Sequence, residues 1–338
     1  MDFDQRRGYR RVTTQRGFTY SYYFAAPAPS TSSEPSKPFL FFAHGFPSSS
    51  YSWHKQIEFF QPLGYGFIVP DMLGYGGTDK PIDPDAYIGS GLAQDIVDIF
   101  NQEKISQVIG VAHDWGNRVL SRLINHHPEC VSACAFIGSG YGPPNAQGTD
   151  PISQSKDLEK IVGYDIVAYM RFFVQPDAAK VIEEHIDSFL DLVYPVTPEV
   201  WMESMCVDGG ARAWIEQDKR TSLAWYITPE DRDRQKQELM AGGLSAPLCW
   251  YKTLVQDANK KDDANVPPEN YVVKQPLLYV ACARDCIARP DLGDARHENC
   301  VNKDTLTRKV VDADHWVVES HPDSINAILL EWMGALKN

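Results

Sequence analysis

Short apolar runs alternate with amphipathic stretches over the first 140 residues of the chain. Residues 9–14 and 18–24 predict two strands around the turn Gln15-Arg16-Gly17. The runs at 38–43, 66–70, 107–112 and 131–138 are largely apolar throughout, the pattern of strands buried on both faces. Between them, Leu92, Ile96, Ile99 and Phe100 recur on one face of a helix. Strand alternating with helix predicts an α/β class, with a mostly parallel central sheet flanked by helices. From about 141 to 270 the pattern is helical, with frequent proline and glycine and no convincing strand. Strand character returns at 275–281 and 306–311. A last helix then places Ile325, Ile328, Leu329, Trp332 and Leu336 on one face. This predicts a core of residues 1–140 and 271–338, with 141–270 inserted as a helical cap over the sheet's carboxyl edge. Open α/β sheets place their sites at that edge.

Composition narrows the function classes. The chain has 338 residues, 43% of them hydrophobic and 23% charged, which is ordinary for a globular protein. Its 45 acidic and 32 basic residues give a net charge of −13. That argues against nucleic acid or an anionic membrane surface as the main partner. No run approaches the ~18 apolar residues of a membrane span, and residues 1–7 lack the apolar core of a signal peptide. Seven cysteines are scattered at 130, 134, 206, 249, 282, 286 and 300, without histidine at zinc-site spacing. They predict buried thiols, no metal and a cytoplasmic location. A monomer or homodimer is expected.

The chemistry centres on one turn. Ala112-His113-Asp114-Trp115-Gly116 follows the small-x-nucleophile-x-small pattern of a nucleophile elbow, between a buried strand and a helix. Small residues flank the apex because larger side chains would collide there. A serine at the apex would attack an acyl carbon. A carboxylate doing so would give a labile anhydride. Attack on an sp3 carbon bearing a strained or good leaving group instead gives a covalent alkyl ester. The same window also suits an aspartate that merely caps a helix.

An elbow predicts its partners in the chain order nucleophile, acid, histidine. Asp285 follows a late strand, and His315 precedes the last helix. Asp312 and Asp314 are rival acids, too near His315 in sequence to orient its ring from below. Ala43-His44-Gly45-Phe46-Pro47 follows another buried strand. The backbone N–H groups of Phe46 and Trp115 are therefore expected to form an oxyanion hole.

With these residues in place, the chain resembles the soluble epoxide hydrolases of the α/β-hydrolase superfamily. The matching segments are His44-Gly45-Phe46-Pro47, Asp71-Met72-Leu73-Gly74-Tyr75-Gly76, His113-Asp114-Trp115-Gly116, Asp285 and His315. Two segments are similar to the family's cap-tyrosine segments: Tyr169-Met170-Arg171-Phe172-Phe173-Val174-Gln175-Pro176 and Pro247-Leu248-Cys249-Trp250-Tyr251-Lys252. The resemblance covers roughly residues 8–336. It implies an α/β-hydrolase fold and cofactor-independent conversion of an epoxide and water to a vicinal diol. It makes Asp114 the nucleophile, His315 and Asp285 the water-activating pair, and Tyr169 and Tyr251 the acids. His44, Pro47, His113, Trp250 and Trp316 are expected in the substrate-binding wall. Asn117 departs from the small residue usual at its position, and the stretch between the two tyrosines is long.

Alternatives stay open at this point. A haloalkane or haloacid dehalogenase would use the same aspartate. However, Phe46 stands where haloalkane dehalogenases typically place Asn, and Trp115 where fluoroacetate-type enzymes place Arg. A non-catalytic ligand receptor on the same fold is a further class. The glycines at 138, 140 and 142 complete no phosphate-binding pattern.

Overall fold

The computed structural model of the chain describes residues 6–30, 36–145 and 150–336. Eight strands form one sheet: β1 (Tyr9–Thr13), β2 (Thr19–Ala25), β3 (Phe39–Ala43), β4 (Gly66–Pro70), β5 (Val108–His113), β6 (Val131–Ile137), β7 (Leu277–Cys282) and β8 (Leu306–Val311). Their order across the sheet is β1-β2-β4-β3-β5-β6-β7-β8. β2 pairs antiparallel with β1 and β4, and the pairings from β4 to β8 are all parallel.

Helices α1 (His54–Phe60), α2 (Gly89–Gln102) and α3 (Trp115–His126) follow β3, β4 and β5. Between β6 and β7 the described chain contains no strand. It runs through α4 (Ser155–Val162), α5 (Ala168–Phe173), α6 (Ala178–Glu184), α7 (Ile186–Val193), α8 (Gly210–Glu216), α9 (Pro229–Gly242), α10 (Cys249–Lys252) and α11 (Asp257–Asp263). A π-helical turn, Trp201–Met205, lies between α7 and α8. α12 (Pro290–His297) joins β7 to β8, and α13 (Val317–Ser320) and α14 (Pro322–Ala335) follow β8.

Both faces of the sheet are covered, which is why its strands are apolar on both sides. Leu40 and Phe42 of β3 point into a core shared with α1 and α14. Phe41 and Ala43, on the opposite face, join a core shared with α2, α3 and the helices that follow β6. The alternation follows from the two-residue period of a strand. Strand bounds read from the sequence differ from these by one or two residues at the ends. No helix among the described residues is long and apolar enough to cross a membrane. All seven cysteines are free thiols, five of them buried.

β5 passes to α3 through Asp114, whose backbone adopts φ 54° and ψ −125°. Such a conformation costs about 1–3 kcal/mol and persists only where its surroundings over-determine it. Here the surroundings are backbone. A Cβ on Gly116 would lie 2.1 Å from the Ala43 carbonyl oxygen, and one on Gly45 would lie 2.0 Å from Asp114 Oδ1. Both positions therefore need glycine. The Asp114 side chain makes no capping bond to α3, so it is not an ordinary N-cap.

Gly116→Ala is expected to destabilise the fold by about 1–3 kcal/mol through overpacking, read as a lower urea midpoint. Gly334→Ala, in α14 with nothing within 4 Å of the added carbon, should raise the midpoint slightly, by up to ~1 kcal/mol. A Gly116→Ala midpoint equal to that of the native chain would show that glycine is not required at the elbow.

Candidate active site

The loops leaving β3, β5, β7 and β8 meet at the sheet's carboxyl edge. The β3 loop brings the Phe46 N–H to Asp114 Oδ1 at 2.7 Å. The Trp115 backbone N–H also favours the charged form of this carboxylate. Asp114 Oδ2 faces His315 Nε2 at 3.5 Å. On the other side of the ring, His315 Nδ1–H donates to Asp285 Oδ2 at 2.7 Å. Asp285 Oδ1 accepts the N–H groups of Ile287 and Ala288 at 2.9 and 2.8 Å. Asp285 is thus held by three donors, whereas Asp114 keeps one oxygen turned to the ring. The rival acids are occupied elsewhere. Asp312 is exposed and pairs with Arg284 at 3.3 Å. Asp314 accepts the Trp316 N–H at 3.2 Å.

Charge follows from this geometry. Burial pushes His315 toward the neutral form. Asp285 and Asp114 outweigh burial and hold its pKa well above the usual histidine value. Burial pushes both carboxylates up, and the neighbouring His315 reverses that, leaving both below the usual aspartate value. The positive end of α3 also favours an anion at Asp114.

Asp114 opens onto a small cavity. Tyr169 from α5 and Tyr251 from α10 line it together with Asp114 and His315. The Tyr251 ring meets Phe46, Trp115 and Phe173 edge-on, each at 5.0 Å between centroids. Tyr169 packs against Phe173 at 5.3 Å and Tyr251 at 5.9 Å. Burial, then the Asp114 charge, pushes the Tyr169 pKa well above 10. Burial, then Tyr169 and Asp114, does the same for Tyr251. Both hydroxyls keep their protons at neutral pH.

Several expected wall residues stand elsewhere. Trp316 lines the cavity, and its Nε1–H donates to the Val193 carbonyl at 2.6 Å. His44 does not line it. Its Nε2 accepts the Met72 N–H at 2.9 Å and its Nδ1 lies 2.9 Å from the Gly45 carbonyl, so it ties one loop to the next. His113 donates through Nε2 to the His315 carbonyl at 2.8 Å and anchors that loop. Burial pushes both histidines down to about 4, so they are neutral at pH 7. Trp250 turns away and donates to the Leu73 carbonyl at 2.9 Å. Pro47 lines a separate cavity with Ser48, Tyr194 and Glu319. Asn117 donates to the Ile137 carbonyl at 2.8 Å and Ser139 Oγ at 3.0 Å, fastening α3 to the end of β6.

Sequence reading missed Phe173, Val193, Trp201, Met205 and Ile287, which complete the wall. The Trp201 ring lies 5.2 Å from that of His315. Trp201 and Met205 come from the π-helical turn, a feature that often marks functional positions but has no sequence signature here.

The family described as alpha/beta hydrolase fold matches residues 38–322. Bifunctional epoxide hydrolase 2 of Sus scrofa is 26% identical over 301 residues, covering 88% of this chain and 52% of that protein. The chain thus spans about half the length of this mammalian relative. Epoxide hydrolase A of Mycobacterium tuberculosis is 26% identical over 323 residues, covering 90% of this chain and 92% of that protein. Among solved structures, epoxide hydrolase A from Mycobacterium thermoresistibile aligns with a TM-score of 0.77 at 23% identity, over 97% of this chain and 98% of that one. The matched region takes in the Phe46 loop, the Asp114 elbow, Asp285 and His315, and the chain belongs to the alpha/beta hydrolase fold family.

Proposed function

We propose that the protein is an epoxide hydrolase, opening an epoxide to a vicinal diol through a covalent ester on Asp114. The observation that carries this reading is the pair of protonated tyrosines converging beside Asp114 in one cavity. A departing halide needs no proton, but an opening epoxide produces a strongly basic alkoxide. Two positioned phenols supply the acid that such an oxygen requires.

The steps follow from the contacts. Phe46 holds Oδ1, so Oδ2 is the attacking oxygen. It forms a bond to a ring carbon as the carbon–oxygen bond of the epoxide breaks. A tyrosine gives its proton to the ring oxygen. Asp114 then becomes a neutral ester, and His315 loses one of the two carboxylates that favour its cation. Its pKa falls, it returns a proton to the tyrosinate, and the neutral ring can deprotonate water. Water attacks the ester carbonyl, and Phe46 and Trp115 stabilise the oxyanion on Oδ1. Collapse releases the diol carrying the original Oδ2, and the proton freed by hydrolysis restores His315.

In this reading residues 141–270 act as a cap over a catalytic core of 1–140 and 271–338. Apolar walls favour a lipophilic epoxide. The free thiols suit a reducing compartment, and we place the protein in the cytoplasm.

Four experiments test this. His315→Gln should form the ester but hydrolyse it slowly, so that intact-protein mass spectrometry shows a substrate-sized adduct. In a single turnover of the native enzyme in labelled water, Asp114 should take the label and the diol should not; a labelled diol means direct attack by water. Tyr169→Phe and Tyr251→Phe should each slow ester formation, within the ~10²–10⁴-fold range of general acid help. The double change should nearly stop it, and near-native epoxide turnover would return a dehalogenase, assayed with 1-haloalkanes, to contention. Asp114→Asn should lower the His315 pKa, because an anion favouring its cation is removed; imidazole NMR titration reads the direction, and an unchanged value would contradict the proposed release of the base.

A further inference from the structure

Two cavities meet at His315. One holds Asp114 and the two tyrosines, and a smaller one is lined by Pro195, Pro198 and Asp314. Trp201, His315 and Trp316 line both, so these three rings form a partition between them.

The nitrogens of the imidazole are committed. Nδ1 faces Asp285 at 2.7 Å, and Nε2 faces Asp114 at 3.5 Å. Three further contacts are aromatic. Between ring centroids, His113 lies 4.8 Å away, Trp316 5.1 Å away and edge-on at 89°, and Trp201 5.2 Å away with the planes 48° apart. His113 adjoins Asp114 in the chain, and Trp316 adjoins His315 itself. Of the three, only Trp201 comes from the chain between β6 and β7.

Trp201 is held in place by more than packing. It is buried, and its Nε1–H donates to the Leu192 carbonyl at 2.7 Å. Its own carbonyl accepts the Cys206 N–H at 2.9 Å, five residues on, which is the bond pattern of a π-helical turn. A leucine here would also exclude water, but it would offer no electron-rich face. An indole attracts a cation within about 6 Å of its centre, better than a phenyl ring does, and more strongly where water is excluded.

The geometry points to Trp201 as a positioning residue for the proposed base: its indole stabilises the imidazolium of His315, the form produced when that ring takes a proton from the attacking water. This rests on the epoxide hydrolase reading. The contact counts most after alkylation, when Asp114 is a neutral ester and Asp285 is the one carboxylate still bonded to the ring. Water then gives a proton to Nε2 as its oxygen bonds to the ester carbonyl carbon, and the charge that appears on the ring meets the indole.

The titratable groups near His315 lie on other elements. They are His113 and Asp114 on the elbow, Asp285 and Cys286 after β7, and Asp314 and Glu319 on the ring's own loop and helix. Tyr169 and Tyr251 line the same cavity and keep their protons. Arg284, beside the smaller cavity, pairs with Asp312. A substitution at Trp201 removes none of these, so a change in basicity reports the indole.

The test titrates His315 by imidazole NMR in the substrate-free protein, with its resonance identified by its loss in His315→Gln. Trp201→Leu should lower the pKa by about half a unit to one and a half units, and Trp201→Phe by less. Single turnovers followed by intact-protein mass spectrometry read the chemistry. Trp201→Leu should slow decay of the Asp114 ester roughly two- to thirtyfold at the alkaline plateau, with ester formation affected less. Decay needs the neutral base and so rises with pH through its pKa; the lower pKa should move that rise to lower pH. Trp201→Phe should recover part of the rate. A tryptophan that only fills space would change melting temperature and KM without moving the titration. An unchanged titration in both variants overturns the assignment, and the phenylalanine variant decides alone if the leucine variant does not fold. If the native enzyme opens epoxides, that result leaves the hydrolase reading intact. A native enzyme that opens none overturns the hydrolase reading and the role of Trp201 with it.

Discussion

The hydrogen bond from the Phe46 N–H to one oxygen of Asp114 is the constraint around which the site is built. To make it, the loop after β3 must approach the β5 elbow at backbone distance. That approach leaves no room for a Cβ at Gly45 or Gly116 and holds Asp114 in a left-handed conformation. The bond also divides the carboxylate: Oδ1 is committed to the Phe46 N–H, and Oδ2 is left facing His315. The consequences extend to the residues packed above. The side chains of Phe46, which holds Oδ1, and of Trp115, next to Asp114, both contact the ring of Tyr251. The element that fixes the nucleophile therefore also positions one of the groups proposed to act on the leaving oxygen.

The two aspartates flanking His315 show how surroundings assign different roles to one residue type. Asp285 accepts three hydrogen bonds and has no freedom to react. Asp114 is half-buried with one oxygen facing the ring, and alkylation would remove its charge. The imidazole between them responds to that charge. With both carboxylates ionised the cation is favoured, and with one neutralised it is not. The order of the proposed half-reactions is thus written into the electrostatics: the base becomes available only after the nucleophile has been consumed.

The parts of this site legible in the sequence were those set by local constraints. A strand ending in a small-x-Asp-x-Gly turn dictates a narrow set of backbone paths, and the topology dictates where Asp285 and His315 must follow. The strands were legible for the same reason, since burial on both faces forces continuous apolar runs. Proximity in a motif was a poorer guide to side-chain direction. His113 and Asp114 are adjacent in the chain, yet one secures a loop and the other faces the cavity, because successive side chains diverge at the end of a strand. His44 and Trp250 were misplaced likewise: each sits beside a functional residue and spends its polar atoms on backbone. Trp201, Met205 and Val193 were illegible because only tertiary packing brings α7 and the π-helical turn over the nucleophile.

In the proposed reaction the sheet supplies an attacking oxygen, an oxyanion site and a base, which would serve many electrophiles. The helices after β6 would then select among them, lining the cavity at Asp114 with the aromatic rings of Tyr169, Phe173, Trp201 and Tyr251. Helix α3 joins the two parts. Its amino end faces Asp114 and favours the carboxylate, while Arg118 and Arg122 further along it reach α11, Arg118 through the Asn259 amide oxygen and Arg122 through Asp263. Cations near the start of a helix run against local preference, and here acceptors brought in by tertiary packing offset it.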